Sequence, residues 1–421
     1  MLELKRKVIT MSSINIEKLE KLAELSVSTG VGLQKGQNLL ITAPSDALPL
    51  VRLIAKHAYK VGANLVTPFF TDSEITLARY KYASDESFDE AADWLYKGMG
   101  EAFDNNTARM AIAGDDPMLL SDMDPEKVAR ANKANSKAYK PARERITQFN
   151  INWNIIAWPG LAWAKRMFPD IAQEEAQTRL AEAIFMASRV NAEDPVASWK
   201  AHNQRLKEKR EWLNQKDFKE IHFKGPGTDL KVGLADDHEW MGGASMAQNG
   251  VVCNPNIPSE EVFTTPHAQR VEGYVSSTKP LSHQGTLIDN IRVVFEKGSI
   301  TDAKASKGET VLKKVLESDE GARRLGEVAL VPNSSPISNS GLLFYNTLFD
   351  ENAACHIALG QCYSKCFKGE KNLSSSEISE RGGNSSMIHI DWMIGSGEID
   401  IDGFEKNGEM VPIFRKGEWV D

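Results

Sequence analysis

Toward the C-terminus, in the stretch MIHIDWMIGSG, His389 and Asp391 stand two residues apart in an apolar, strand-like run. Side chains at i and i+2 of a strand emerge on one face, so the imidazole and the carboxylate stand side by side and need a partner. Three earlier segments carry groups of the same kind. In NPNIPSEEVFTTPHAQRVEGYV, Glu260 and Glu261 enter a β-prone run, where adjacent carboxylates repel unless one faces solvent or both meet a cation. In ARRLGEVALVP, Glu327 sits at the mouth of an apolar strand, which is costly unless it is paired or coordinated. LFYNTLFDENAACHIALGQCY adds Asp350, Glu351, His356 and Tyr363. Gathered, these are carboxylates, two imidazoles and a phenol, a donor set suited to two divalent ions. Ordinary buried ion pairs are the alternative, and no segment has the His-x-x-x-His spacing of a helix-borne zinc site.

The elements that must position these groups fall into two textures. In QKGQNLLITAP a turn over Gln34 to Gln37 feeds a short apolar strand over Asn38 to Ala43. ALPLVRLIAKHAYKVG then has helical spacing, and NLVTPFF is a second apolar strand. A strand, helix, strand unit implies a parallel sheet with a crossover helix, and further strands are expected at Arg109 to Asp115 and Asn152 to Gly160. The turn after the first strand, APSDALP, holds no glycine, which argues against a dinucleotide site. His57 reads as a satisfied surface or core histidine.

From Asp194 to Lys216 the chain is charged and helical, opens on Asp-Pro, and repeats Trp199, Leu206 and Leu213 at heptad spacing. It reads as a helix linking two domains. Beyond it, EIHFKGPGTDLKVGLADDHEWMGG alternates polar and apolar residues with Gly and Pro punctuation, the texture of antiparallel hairpins. The expected fold is an α/β N-terminal domain with a parallel sheet (1–215), followed by a β-rich α+β catalytic domain that binds metal (216–421).

Composition bounds the function. A net charge of −8 over 421 residues supplies no basic surplus for nucleic acid. No apolar run reaches the roughly 18 residues a membrane helix needs. The amphipathic N-terminus lacks the apolar core of a signal peptide, so a cytoplasmic protein is expected. Cys253, Cys355, Cys362 and Cys366 are few and lack paired CxxC spacing, which suits reduced, structural thiols.

Four motifs in order, NIPSEEVFTTP, LGEVALV, FDENAACHIALG and HIDWMIG, resemble the successive signatures of the M29 metallopeptidases, the aminopeptidase T/AmpS/PepS group. The KGQNLLI strand and the DLKVGL hairpin are similar to that family's as well, so the resemblance spans most of the chain. It implies Glu261, Glu327, His356, His389 and Asp391 as metal ligands, with Glu327 shared between two ions. It makes Glu351 a further ligand or the general base and places Tyr363 at the site; on chemistry alone Glu260 is the other candidate base, or else a surface or capping residue. The implied activity is a metal-dependent aminopeptidase that removes N-terminal residues from short peptides with a free N-terminus. Two divalent ions (Zn, Co, Mn or Mg) would activate the water, in a homodimer whose sites face an internal cavity. His238, His267 and His283 match no ligand position, and thiols beside Tyr363 are not required. The alternatives are another metal-assisted amide or ester hydrolase, and a non-catalytic small-ligand-binding protein.

Overall fold

Leu39, Leu40 and Ile41 leave a turn at Gly36, whose φ of +79° suits glycine, and bury at once in strand β1 (Leu39–Pro44). The computed structural model describes residues 14–283, 285–369 and 373–420, so the first thirteen residues of the amphipathic N-terminus lie outside it. With β2 (Val66–Thr71), β3 (Ala108–Ala113) and β4 (Trp153–Ala157), β1 forms a parallel sheet in the order β2-β1-β3-β4. Helix Leu48–Lys60 makes the expected crossover between β1 and β2. The second of these strands is the sheet edge and stays half-exposed.

A linking helix, Pro195–Lys216, follows, capped by Asp194, whose side chain accepts from the Ala197 N–H at 2.9 Å. Trp199 on this helix packs into the core of the first lobe, while Leu206 and Leu213 pack into that of the second. The heptad row therefore spans both lobes.

The second lobe is built on an eight-stranded antiparallel sheet, with the hairpin Glu220–Gly225 and Thr228–Leu234 near its middle. A smaller antiparallel sheet of four strands orders His389–Met393, His356–Gly360, Leu325–Leu330 and Val262–Thr264 side by side. Between the middle two of these the chain crosses back to the first lobe. Ile337, Phe344, Leu348, Phe349 and Ala353 all join the first core, Phe344 stacks on Phe349 at 4.6 Å, and the Trp163 indole N–H donates to the Phe344 carbonyl at 2.5 Å. Each buried phenylalanine contributes about 2–3 kcal/mol. This docking carries Glu351 to the junction of the lobes.

Candidate metal centre

The four-stranded sheet presents one polar face. Glu327 lies opposite Ala358, and Ala358 opposite Asp391, so the two carboxylates flank a methyl group that leaves the space between them open. His356 precedes Ala358 by two residues and His389 precedes Asp391 by two, which puts both imidazoles on the same face. The intervening residues Val328, Ile357, Ile390 and Trp392 point the other way, into the second core. Period-two alternation thus buries one face in hydrocarbon and lines the other with donors.

Among the described residues two groups bring three ligand atoms within 4.8 Å of one another, Glu261 with Glu327 and His356, and Glu327 with His389 and Asp391. Glu327 belongs to both. His356 Nε2 lies 3.1 Å from Glu261 and 3.7 Å from Glu327, and His389 Nε2 lies 3.6 Å from Glu327 and 3.4 Å from Asp391. Carbonyl oxygens of Ala354 and Gln361 accept from the Nδ1 atoms of His356 and His389, at 3.2 and 2.7 Å. Each imidazole therefore turns Nε2 toward the carboxylates, the orientation that second contacts impose on ligating histidines.

The donor set fits divalent cations. His356 Nε2 is buried and makes no well-aligned hydrogen bond, and a neutral ring would aim a lone pair at carboxylates unless a positive charge stood between them. The titration of the group carries the same message. Burial first, then the charges of Asp391 and Glu261, push Glu327 up to about 7, and burial with the same two neighbours raises Glu351 well above the carboxylate range. Burial would keep both imidazoles neutral, yet Glu261 and Glu327 hold His356 far above its usual value. Asp391 and Glu327 likewise outweigh burial and raise His389 to about 9. Burial acts against ionised Asp391 too, but His389 holds it below the ordinary value. So many carboxylates and imidazoles competing for protons at one place make a donor set that suits a cation.

Glu351 begins a short 3-10 turn, Glu351–Ala353, and lines the same cavity as the ligand groups, but belongs to neither of them. Tyr363 packs its ring 4.9 Å from His389 and 5.9 Å from Phe263. Although the residue is 40% exposed, its hydroxyl is held protonated by withdrawal from water at the site and by the charges of Glu327, Asp391, Glu351 and Glu261.

The structure does not bring Glu260 to this cluster. Adjacent residues of an extended chain face opposite ways, and the Glu260 carboxylate is taken by the Arg189 guanidinium at 2.6 and 2.8 Å. His202 accepts from Arg189 through Nδ1 at 3.1 Å and donates from Nε2 to the Ser259 carbonyl at 2.8 Å, which requires a neutral ring. The backbone N–H of Glu260 donates to Asn352 Oδ1 at 2.6 Å. Arg189, His202 and Asn352 thus hold the loops that carry Glu261 and Glu351; Asn352 lies within the FDENAACHIALG motif, whereas Arg189 and His202 belong to no motif with a readable spacing.

Asp350 serves the local backbone, accepting from Phe344 and Asn346 at 2.8 and 3.0 Å. His57 pairs with Glu20 at 2.9 Å, and His238 donates to the Ala235 carbonyl at 3.0 Å. His267 accepts from the Gln269 N–H at 3.1 Å, and none of His238, His267 and His283 joins a ligand group. All four cysteines are free and buried, burial lifts the Cys362 thiol to about 12, and neither Cys362 nor Cys366 belongs to a ligand group.

A cavity of about 360 Å³ opens in front of the polar face. Its far wall comes from the first lobe, with Ile146, Phe149, Trp153 and Ile155 among its residues. Sequence texture alone does not join residues near position 150 to motifs beyond position 260.

Residues 15–419 match the family model described as thermophilic metalloprotease (M29). Aminopeptidase T of Thermus thermophilus is 51% identical over 402 residues, which cover 96% of this chain and 98% of that protein. Aminopeptidase 2 of Geobacillus stearothermophilus is 45% identical and aminopeptidase AmpS of Bacillus subtilis 43%, each over the same shares of the two chains. The solved structure of wild-type AmpT from Thermus thermophilus superposes with a TM-score of 0.92 at 50% identity, over 96% of this chain and 100% of that one.

Proposed function

The chain belongs to the M29 metallopeptidase family and is a metal-dependent aminopeptidase, and from that premise we propose that it removes N-terminal residues from short peptides at a centre for two divalent ions. The observation that carries the two-ion reading is the membership of Glu327 in both ligand groups. Glu261, Glu327 and His356 would hold one ion, and Glu327, His389 and Asp391 the other. With carboxylate and imidazole donors and no thiol, the site accepts zinc, cobalt, manganese or magnesium.

When bound, such ions supply Lewis-acid polarisation of the scissile carbonyl and a water of lowered pKa. The chain's own groups do the rest. Glu351 stands in the cavity outside both ligand groups, placed to handle a proton rather than to hold an ion. It takes the proton of the attacking water and delivers it to the leaving amine, as a general base that then acts as an acid. Tyr363, protonated at any working pH, donates its hydroxyl hydrogen to the oxyanion of the tetrahedral intermediate. Ile146, Phe149, Trp153 and Ile155 form an apolar part of the cavity wall against which peptide side chains would pack.

A homodimer in the cytoplasm completes the proposal. The four free, buried cysteines suit a reducing compartment, and among the described residues no helix is long and apolar enough to cross a membrane.

The test is hydrolysis of a panel of aminoacyl p-nitroanilides by chelator-stripped protein, before and after addition of Zn²⁺, Co²⁺ or Mn²⁺, beside Glu327→Gln. Activity that returns with metal and stays lost in the variant supports the reading. Metal binding without turnover of anilides or short peptides would hand the site to another hydrolase, and absence of metal binding would sink it.

A further inference from the structure

The cavity in front of the metal centre has a second, basic region. From His389 the ring of Tyr363 leads away from the ligands, and two residues further on Lys365 places Nζ over the Phe149 ring at 2.6 Å. Phe149 touches Trp153 at 5.3 Å, and Trp153 lies beside Arg109 in the β3–β4 register. Arg143 enters from helix Pro125–Thr147, on the same side as Tyr139 and Ile146. Lys365, Arg109 and Arg143 all line the cavity.

Two of these cations lack counter-charges. Among the described residues, neither Arg109 nor Arg143 forms an ion pair or a side-chain hydrogen bond, whereas neighbouring Arg145 is held by Asp104 through two bonds of 2.6 Å. Arg109 is half-buried, and a guanidinium withdrawn from water without an anion is unfavourable. The carboxylates that line the cavity, Glu261, Glu327, Glu351 and Asp391, all sit at the metal centre. Two divalent ions would balance those four, so the basic region keeps a positive surplus.

We infer that Arg109 and Arg143, assisted by Lys365, form an anchor for the C-terminal carboxylate of di- and tripeptides whose N-terminal residue lies at the metal centre. The inference rests on the aminopeptidase reading and narrows its substrate class. A planar guanidinium pair suits a carboxylate. The size of the cavity points the same way. About 360 Å³ is near the lower end for ligand pockets, and an extended chain advances about 3.5 Å per residue. A cavity of that volume, with the ligand groups and the basic wall both in its lining, suits a peptide of a few residues held at its two ends.

The experiment compares kcat/KM of the metal-loaded enzyme for Leu-Leu-Leu and for the same peptide as its C-terminal amide, in the wild type, Arg143→Gln and Arg109→Gln. The wild type should favour the free acid by about tenfold or more, as a charge-assisted hydrogen bond implies, and the ratio should fall toward one in both variants. Arg143 is exposed, so its variant keeps the comparison valid if Arg109→Gln folds poorly. Equal turnover of acid and amide by the wild type, or an acid preference that survives in Arg143→Gln, would overturn the anchor.

Dissociation constants of a reduced-bond Leu-Leu and its amide give the same ratio without turnover. If no peptide or anilide is hydrolysed while the reduced-bond acid still binds tighter than its amide, the aminopeptidase reading fails and the anchor stands. Equal binding with turnover intact removes the anchor alone.

Discussion

Arg189 grips both carboxylate oxygens of Glu260, at 2.6 and 2.8 Å, one residue ahead of a carboxylate that faces the metal centre. The guanidinium comes from the first lobe and the carboxylate from the second, and both are largely withdrawn from solvent. Breaking such a pair leaves an uncompensated charge and costs about 3–5 kcal/mol. Arg189→Met should therefore unfold at markedly lower denaturant concentration. It should also lose metal affinity by about 10–100-fold, the usual scale for residues that orient ligands from behind. Calorimetric titration of the variant with Zn²⁺ checks the second effect, and unchanged affinity in the folded variant would refute a positioning role.

His202, locked between Arg189 and Ser259, makes stability depend on pH. Burial first, then the charge of Arg189, lower it from 6.5 to about 4, although Glu260 opposes the shift. At pH above 6.5 the ring is neutral in both states. As pH falls from 6.5 toward 4, the unfolded chain binds a proton that the fold rejects, and roughly 3 kcal/mol of stability is lost. Urea melts at pH 7 and pH 4.5 should show a smaller drop for His202→Gln than for the wild type. An equal drop would assign the acid sensitivity elsewhere.

The proposed role of Tyr363 is to donate a hydrogen bond in the transition state. Tyr363→Phe should lower kcat by about 10²–10³-fold with little change in KM, the signature of a lost oxyanion donor. A variant with normal kcat would reduce the residue to packing against His389 and Phe263.

Glu327 and Glu351 should separate cleanly. Glu327→Gln removes the carboxylate whose two oxygens face the two ligand groups, so metal content after dialysis should fall below one ion per chain. Glu351→Gln should keep its metal and lose about 10²–10⁴-fold in kcat, the range for a general base. Metal analysis beside steady-state kinetics distinguishes the two, and metal loss in Glu351→Gln would make that residue a ligand.

Chelation should also weaken the fold. Ions at 100 times their dissociation constant stabilise by about 2.7 kcal/mol, so the stripped protein should melt earlier and recover on metal addition. A melting point indifferent to chelator would mean that the donors hold no ion in the folded state.

Much of the candidate metal centre was legible because strands obey a period of two. The His389-x-Asp391 spacing fixes a shared face without knowledge of the fold, and the apolar residues between confirm which face is buried. Glu260 and Glu261 expose the limit of that logic. Alternation says that they diverge, but only tertiary contact with Arg189 decides which one turns away. The basic wall was illegible for a related reason. Arg109 and Arg143 stand on a strand and a helix whose own patterns are satisfied by the first lobe, and their service to a site in the second is a property of how the lobes meet.

The linking helix is 22 residues long, a rod of about 33 Å, with Trp199 sunk in one core and Leu206 and Leu213 in the other. Melting either lobe would strip apolar side chains from the rod that the other lobe relies on for its alignment. Two nominal domains should thus give one calorimetric endotherm, and mechanical load on one should be felt in the other. The cleft between them is set by a splint, so its width is a built dimension of the enzyme.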